Sequence, residues 1–285
     1  MLCKKISAAL AAAALASSAL WGAENQPAGG ETMKKEIARL FPKAELLKED
    51  AVEQQYWVST GKNRFWLAVP AAGKKLADLR MVCVFAGRGG SGKANNLSGE
   101  GIPGQCRREM LQAGLAFLCA ECSPNAWGDP ESTAATVAAL EYCRKQGLNL
   151  PEKIDLLGFS MGGLGALMFA ARRPETVRKV VDIFGITDLD DFYNRGFYRA
   201  MLSRIPEAER RDRSPCAKAE RYKNMEILIV HGDRDATVDI SYSKRFLELM
   251  QKQNTPCRLI VVPGIGHSND ILEKSGAAIR DFLAE

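Results

Sequence analysis

The sequence predicts an α/β architecture: a mostly parallel central sheet with helices on both faces and a small helical insertion. Three observations carry this. Short segments that are apolar at almost every position (81–85, 115–119, 154–158, 179–184, 225–230 and 258–262) alternate with helical segments along the chain. A strand that is apolar throughout is buried on both faces, and that is the signature of a parallel sheet between helix layers. The chain has 285 residues, 46% hydrophobic and 26% charged, enough to bury a large core without covalent staples. It contains no internal repeat and no linker that would set off a second folded domain.

The elements follow in order. Residues 1–23 place Lys4 and Lys5 ahead of an apolar, alanine-rich run and then small residues, with cleavage boundaries at Ala19 or Ala23. This is the pattern of an export signal, the alternative being an ordinary buried N-terminal helix. It carries the expectation of a secreted or periplasmic protein with no stable membrane insertion once the leader is removed. Residues 24–54 read as a polar N-terminal extension with a helical stretch at 33–40, and 55–285 as the folded domain. Segments 55–59 and 64–69, on either side of Gly61-Lys62, read as an antiparallel hairpin at one sheet edge. The helices fall at 106–113, 132–145, 161–171, 241–253 and 269–283. Segment 187–224 breaks the rhythm, with no strand and many charges. It reads either as a small helical insertion covering the site or as a solvated crossover.

Charge and cysteine content exclude several classes. The net charge of +5, from 39 basic and 34 acidic residues, contains no like-charge run that would mark a nucleic-acid surface. Of eight cysteines, Cys3 lies in the leader. Cys119 and Cys122 have C-x-x-C spacing but end a strand instead of opening a helix, and no histidine lies nearby. Buried apolar thiols are the expectation, with no zinc site and no cofactor.

The sharpest local signal is Gly158-Phe159-Ser160-Met161-Gly162-Gly163, between a strand and a helix. A strand that turns abruptly into a helix leaves no room for side chains at Gly158 and Gly162. The turn lifts Ser160 Oγ above the sheet, and the Met161 N–H at the helix N-terminus points at the same place. A serine hydroxyl needs a base, and the chain has only His231 and His267. With His267 as base, Asp235 is the acid that orients it, in the chain order serine, acid, histidine. Asp233 and Asp239 are the competing acids. His231, four residues before Asp235, is read as a buttress of the acid loop. The glycine-rich loop Gly87–Ala94 matches the start of a phosphate-binding loop, but Ala94 stands where Ser or Thr would hold Mg²⁺, and loop residues follow where a helix should begin.

These residues resemble the α/β-hydrolase family, in its dienelactone-hydrolase and prolyl-oligopeptidase-like branch. The carriers are the Gly158–Gly163 segment, His231-Gly232-Asp233-Arg234-Asp235-Ala236-Thr237-Val238, Gly266-His267 and Ser214-Pro215. The resemblance covers roughly residues 55–285 and implies a Ser160, Asp235, His267 triad. It places a second oxyanion donor at the N–H of Arg88, with Gly89 as the alternative. Three departures stand out: Ser160 stands where dienelactone hydrolases proper carry a cysteine nucleophile, Ala86-Gly87 occupies the usual His-Gly position, and only about thirty residues separate the leader from the first expected strand, too few for the propeller of prolyl oligopeptidases. The Arg88 side chain is read as either facing the site or solvated, and Trp127 as a substrate-pocket wall or plain packing. The implied activity is that of a serine carboxylesterase acting on small or carbohydrate-linked esters. A peptidase of short peptides and a binding protein on a hydrolase scaffold are the alternatives.

Overall fold

The computed structural model describes residues 29–285. The expected leader, 1–23, lies outside the described residues. The nine strands form a single sheet in the order β1-β2-β3-β5-β4-β6-β7-β8-β9. Strands β1 (Ala44–Glu49), β2 (Glu53–Ser59) and β3 (Arg64–Pro70) form an antiparallel meander, and β3 pairs antiparallel with β5 (Leu115–Ala120). From there every neighbour is parallel: β5 with β4 (Arg80–Phe85), then β6 (Ile154–Phe159), β7 (Val177–Ile183), β8 (Glu226–Gly232) and β9 (Cys257–Val262).

The apolar runs split by parity onto the two faces, because successive strand side chains point opposite ways. Met81, Cys83, Leu156, Ile227 and Ile229 face one core, which α1 (Gly29–Leu40), α3 (Pro130–Lys145), α4 (Met161–Arg172) and α8 (Ser241–Lys252) cover. Val82, Val84, Leu157, Leu228 and Val230 face the other, under α2 (Gly101–Gln112) and α9 (Ile271–Ala284). No helix among the described residues is long and apolar enough to cross a membrane.

The segment expected as an N-terminal extension is, from residue 29 onward, part of this sheet-and-helix unit. Helix α1 buries Met33, Ile37 and Leu40, and β1 pairs along β2. Strand β1 is an edge strand with mixed exposure, so Ala-Glu-Leu-Leu-Lys-Glu carries no clean apolar alternation to announce it. Its neighbourhood is fastened by a buried ion pair in which Arg107 of α2 donates to both carboxylate oxygens of Glu53, at 2.6 and 2.7 Å.

Segment 187–224 folds into three short helices, α5 (Leu189–Asn194), α6 (Arg199–Leu202) and α7 (Glu207–Asp212), and the 3₁₀ turns Pro215–Tyr222. Its charges pair internally: Arg210 with Asp190, Arg211 with Glu207, Arg213 with Glu209. Its apolar residues Leu189, Phe192 and Leu202 join Trp127, Met161 and Leu164 in a third cluster beside the serine turn. The segment is therefore anchored over the sheet. The seven described cysteines are all unpaired, and Cys119 is buried at the end of β5.

Candidate active site

Ser160 sits between β6 and α4 with φ 55° and ψ −118°, a conformation that costs a non-glycine residue on the order of 1–3 kcal/mol. Surrounding geometry enforces it. A Cβ on Gly158 would lie 2.2 Å from the Gly162 carbonyl oxygen, across the turn. A Cβ on Gly162 would lie 2.0 Å from the carbonyl oxygen of Phe85, so this glycine admits the neighbouring strand β4, not the turn itself. The Ser160 N–H donates to the Ile183 carbonyl at 2.9 Å, tying the turn to β7.

The loop after β9 brings His267 over this serine. Its Nε2 is 2.8 Å from Ser160 Oγ and its Nδ1 is 2.6 Å from Asp235 Oδ2. A carboxylate only accepts, so Nδ1 carries the proton donated to Asp235, and Nε2 is left to accept from the serine hydroxyl. The Asp235 side chain is fully buried in the loop after β8. Burial pushes its carboxyl pKa up, but hydrogen bonds from His231, His267 and the Val238 N–H outweigh that, and the net pKa lies well below the usual carboxylate value. Its Oδ1 also accepts from the Thr237 N–H at 2.8 Å. The acid loop is thus pinned by its own backbone.

The other candidates separate. His231 is fully buried, with Nε2 donating to the Val238 carbonyl at 2.8 Å and Nδ1 accepting from the Ser243 hydroxyl at 2.6 Å. Both ring nitrogens are occupied in one neutral tautomer, and the ring also lies 3.4 Å from Asp235 Oδ2. Asp233 accepts from the Gly264 N–H and Asp239 from the Ser241 N–H, so both serve their own turns.

Above β4, the Gly89 N–H donates to the Pro124 carbonyl at 2.8 Å. That removes Gly89 as a free donor. Among the described residues nothing accepts from the Arg88 N–H, and the Met161 N–H opens its helix without an intrahelical partner. The loop is anchored by Asn96, whose Oδ1 accepts from the Gly87 N–H at 2.8 Å and whose Nδ2 donates to Asn269 Oδ1 at 3.2 Å. Asn96 thereby ties this loop to the segment that follows His267. No helix follows Ala94 directly; α2 begins at Gly101, so the loop's N–H groups do not converge on a phosphate-sized cradle.

Ser160 and His267 open into a cleft of about 240 Å³ whose walls include Arg88, Asn96, Phe184, Tyr198 and Asn269. The Phe184 ring packs on the His267 imidazole at 4.5 Å between centroids. Trp127 does not form a wall. It is buried and backs Tyr198, 5.5 Å away between ring centroids. Ser160, Phe184, Trp127 and Tyr198 all have positive φ, so backbone strain gathers around this cleft. Phe184, Tyr198, Asn96 and Asn269 had no local motif to single them out; positive φ becomes visible only in the folded backbone. Among the described residues no group of histidine, cysteine and carboxylate side chains could hold a metal ion.

This geometry can draw the proton from a serine hydroxyl. Comparison with known proteins places the chain. Its residues 126–284 match the model of the prolyl oligopeptidase family, peptidase family S9. A dipeptidyl aminopeptidase BIII from Pseudoxanthomonas mexicana is 25% identical over 165 residues, a match taking in 52% of this chain but 24% of that protein. The chain thus spans about a quarter of that relative's length. A truncated carbohydrate esterase from gut microbiota superposes with a TM-score of 0.63 at 18% identity, covering 84% of this chain and 98% of that one. Est1E from Butyrivibrio proteoclasticus, with ferulic acid bound, superposes with a TM-score of 0.61 at 18% identity, covering 80% of this chain and 97% of that one. At such identity these structures establish the shared fold alone. The chain has the α/β-hydrolase fold and belongs to the prolyl oligopeptidase family of hydrolases.

Proposed function

We propose that the protein is an exported serine hydrolase that cleaves carboxylic esters through an acyl-enzyme. The observation that carries the reading is the continuous hydrogen-bonded chain from Asp235 through His267 to Ser160. In the proposed reaction His267 Nε2 takes the hydroxyl proton as Ser160 Oγ attacks the ester carbonyl. The tetrahedral oxyanion is held by the N–H groups of Met161 and Arg88, each worth about a hundredfold or more in rate. His267 then returns the proton to the leaving alcohol. Water, activated by the same imidazole, releases the acid. Asp235 stays ionised and stabilises the imidazolium.

Two observations support an ester over a peptide with a free N-terminus. Among the described residues no carboxylate lines the cleft, so no counter-charge there would pair with a peptide's terminal ammonium. The esterase structures match this chain over nearly their whole length, at 98% and 97%. Export rests on the leader pattern of residues 1–23.

The test is covalent labelling by a fluorophosphonate, followed by turnover of short-chain acyl esters and of aminoacyl anilides. Labelling at Ser160, lost in Ser160→Ala, with esters cleaved and anilides not, is the expected result. Anilide cleavage at comparable efficiency would make the protein a peptidase. A folded protein that takes no label would be a binding protein on this scaffold.

A further inference from the structure

Arg88 is an exposed residue of the cleft, and among the described residues no carboxylate pairs with its guanidinium. It follows β4 and lines the cleft with Ser160 and His267. The guanidinium carbon lies 4.7 Å from the centre of the Tyr198 ring. Stacking on an aromatic face orients a guanidinium and leaves its in-plane N–H fork open. Among the described residues no carboxylate or carbonyl accepts from that fork. The neighbouring arginines of the insertion are committed: Arg195 to Asp191, Arg210 to Asp190, Arg213 to Glu209. No acidic residue lines the cleft, and the nearest catalytic acid, Asp235, is buried and already shared by two imidazoles. The cleft therefore presents one positive, planar, two-pronged donor beside the reacting centre, without a counter-charge.

We infer that the substrate carries a carboxylate close to its scissile carbonyl, bound by the Arg88 fork against Tyr198. This rests on the serine-hydrolase reading above and names its substrate class. The residue's backbone N–H serves the oxyanion, so its side chain starts from the same spot. A carboxylate a few bonds from the carbonyl, on either the acyl or the alcohol side, would meet it. Tyr198 holds the cation through a backbone at φ 48°, a strained geometry that the insertion maintains. Bidentate guanidinium–carboxylate pairing is among the stronger polar contacts, and a hydrogen bond between charged partners corresponds to about tenfold or more in selectivity.

The experiment compares matched ester pairs on the full protein. On the acyl side, 4-nitrophenyl hydrogen adipate is set against 4-nitrophenyl hexanoate. On the alcohol side, 3-carboxyphenyl butyrate is set against 3-carbamoylphenyl butyrate. The readout is the ratio of kcat/KM within each pair, for wild type, Arg88→Gln and Arg88→Lys. One pair should favour its carboxylate member by about tenfold or more, chiefly in KM, and the pair that does so identifies the side. The ratio should fall with added salt, collapse in Arg88→Gln and survive in part in Arg88→Lys. Ratios near unity in both pairs, or a ratio that Arg88→Gln leaves intact, would overturn the inference. So would a loss in Arg88→Gln shared equally by both members of a pair, which reports damage to the oxyanion loop alone. Failure of wild type to take a fluorophosphonate or to cleave any ester would instead overturn the underlying hydrolase reading.

Discussion

Asp182, on β7 beneath the serine turn, offers a sharp test of the electrostatics under the site. It is fully buried, and neither oxygen has a hydrogen-bond partner of good geometry. Two glycines crowd it: a Cβ on Gly163 would lie 2.1 Å from its Oδ1, and one on Gly185 1.9 Å away. Burial raises its pKa from 3.8 to about 7, against the weaker opposing pull of the Gly185 N–H. Below the unfolded value both states are protonated and the group costs nothing. Between the two values the unfolded chain sheds a proton that the folded protein keeps. Stability then declines as pH rises, by about 1.36 kcal/mol per pH unit at most, and levels off above the folded pKa. Integrated from about pH 5 to about pH 8, the loss is on the order of 2–3 kcal/mol. Asp182→Asn keeps the size and removes the titration. Urea unfolding of both proteins at the two pH values isolates the term, since groups that titrate alike in both cancel in the difference. The variant should gain that much relative to wild type on going from the lower to the higher pH. A difference between the two proteins that does not change with pH would refute the reasoning.

Other outcomes follow from the geometry. Asp235→Asn should retain its circular dichroism spectrum and lose about 10³–10⁴-fold in kcat on esters, because an amide fails to hold the His267 tautomer; a loss below tenfold would remove Asp235 from the proposed role. Gly162→Ala should lower the Tm and abolish turnover, since its new methyl would sit 2.0 Å from the Phe85 carbonyl, whereas Gly99→Ala, which meets nothing within 4 Å, should leave both nearly unchanged. Arg107→Met leaves the buried Glu53 carboxylate to Lys48 and Arg108, at 2.9 and 3.5 Å, and should cost about 3 kcal/mol in chemical denaturation, with much of the loss recovered in the double variant Arg107→Met/Glu53→Leu. Burial opposes ionisation of Glu53, but Arg107 and Lys48 prevail and lower its pKa from 4.5 to about 2. The stability it contributes should be complete above about pH 5 and be lost as pH falls toward 2. Acid titration of wild type against Glu53→Gln checks that sign.

Features that depend on near neighbours along the chain are legible without the fold. The strands of the parallel sheet announce themselves because burial on two faces makes most positions apolar, with Asp155, Lys179 and Asp182 as buried exceptions. The serine turn announces itself because a strand passing directly into a helix needs glycine at Gly158, two residues before Ser160. With only two histidines, the search for a base was short. Tertiary structure decided whatever depends on residues far apart. Strand β1 escapes local reading because an edge strand needs only one buried face. The role of Gly162 belongs to Phe85 on another strand, and Gly89 is ruled out as a donor by Pro124. The anchor of the oxyanion loop joins Asn96 to Asn269, and no spacing rule links two amides that far apart. Arg88 is the clearest case. As a letter in a glycine-rich loop it is equally a solvated charge or a ligand. Only the packing of Tyr198 beneath it, and the absence of an acid beside it in the cleft, give its charge a direction.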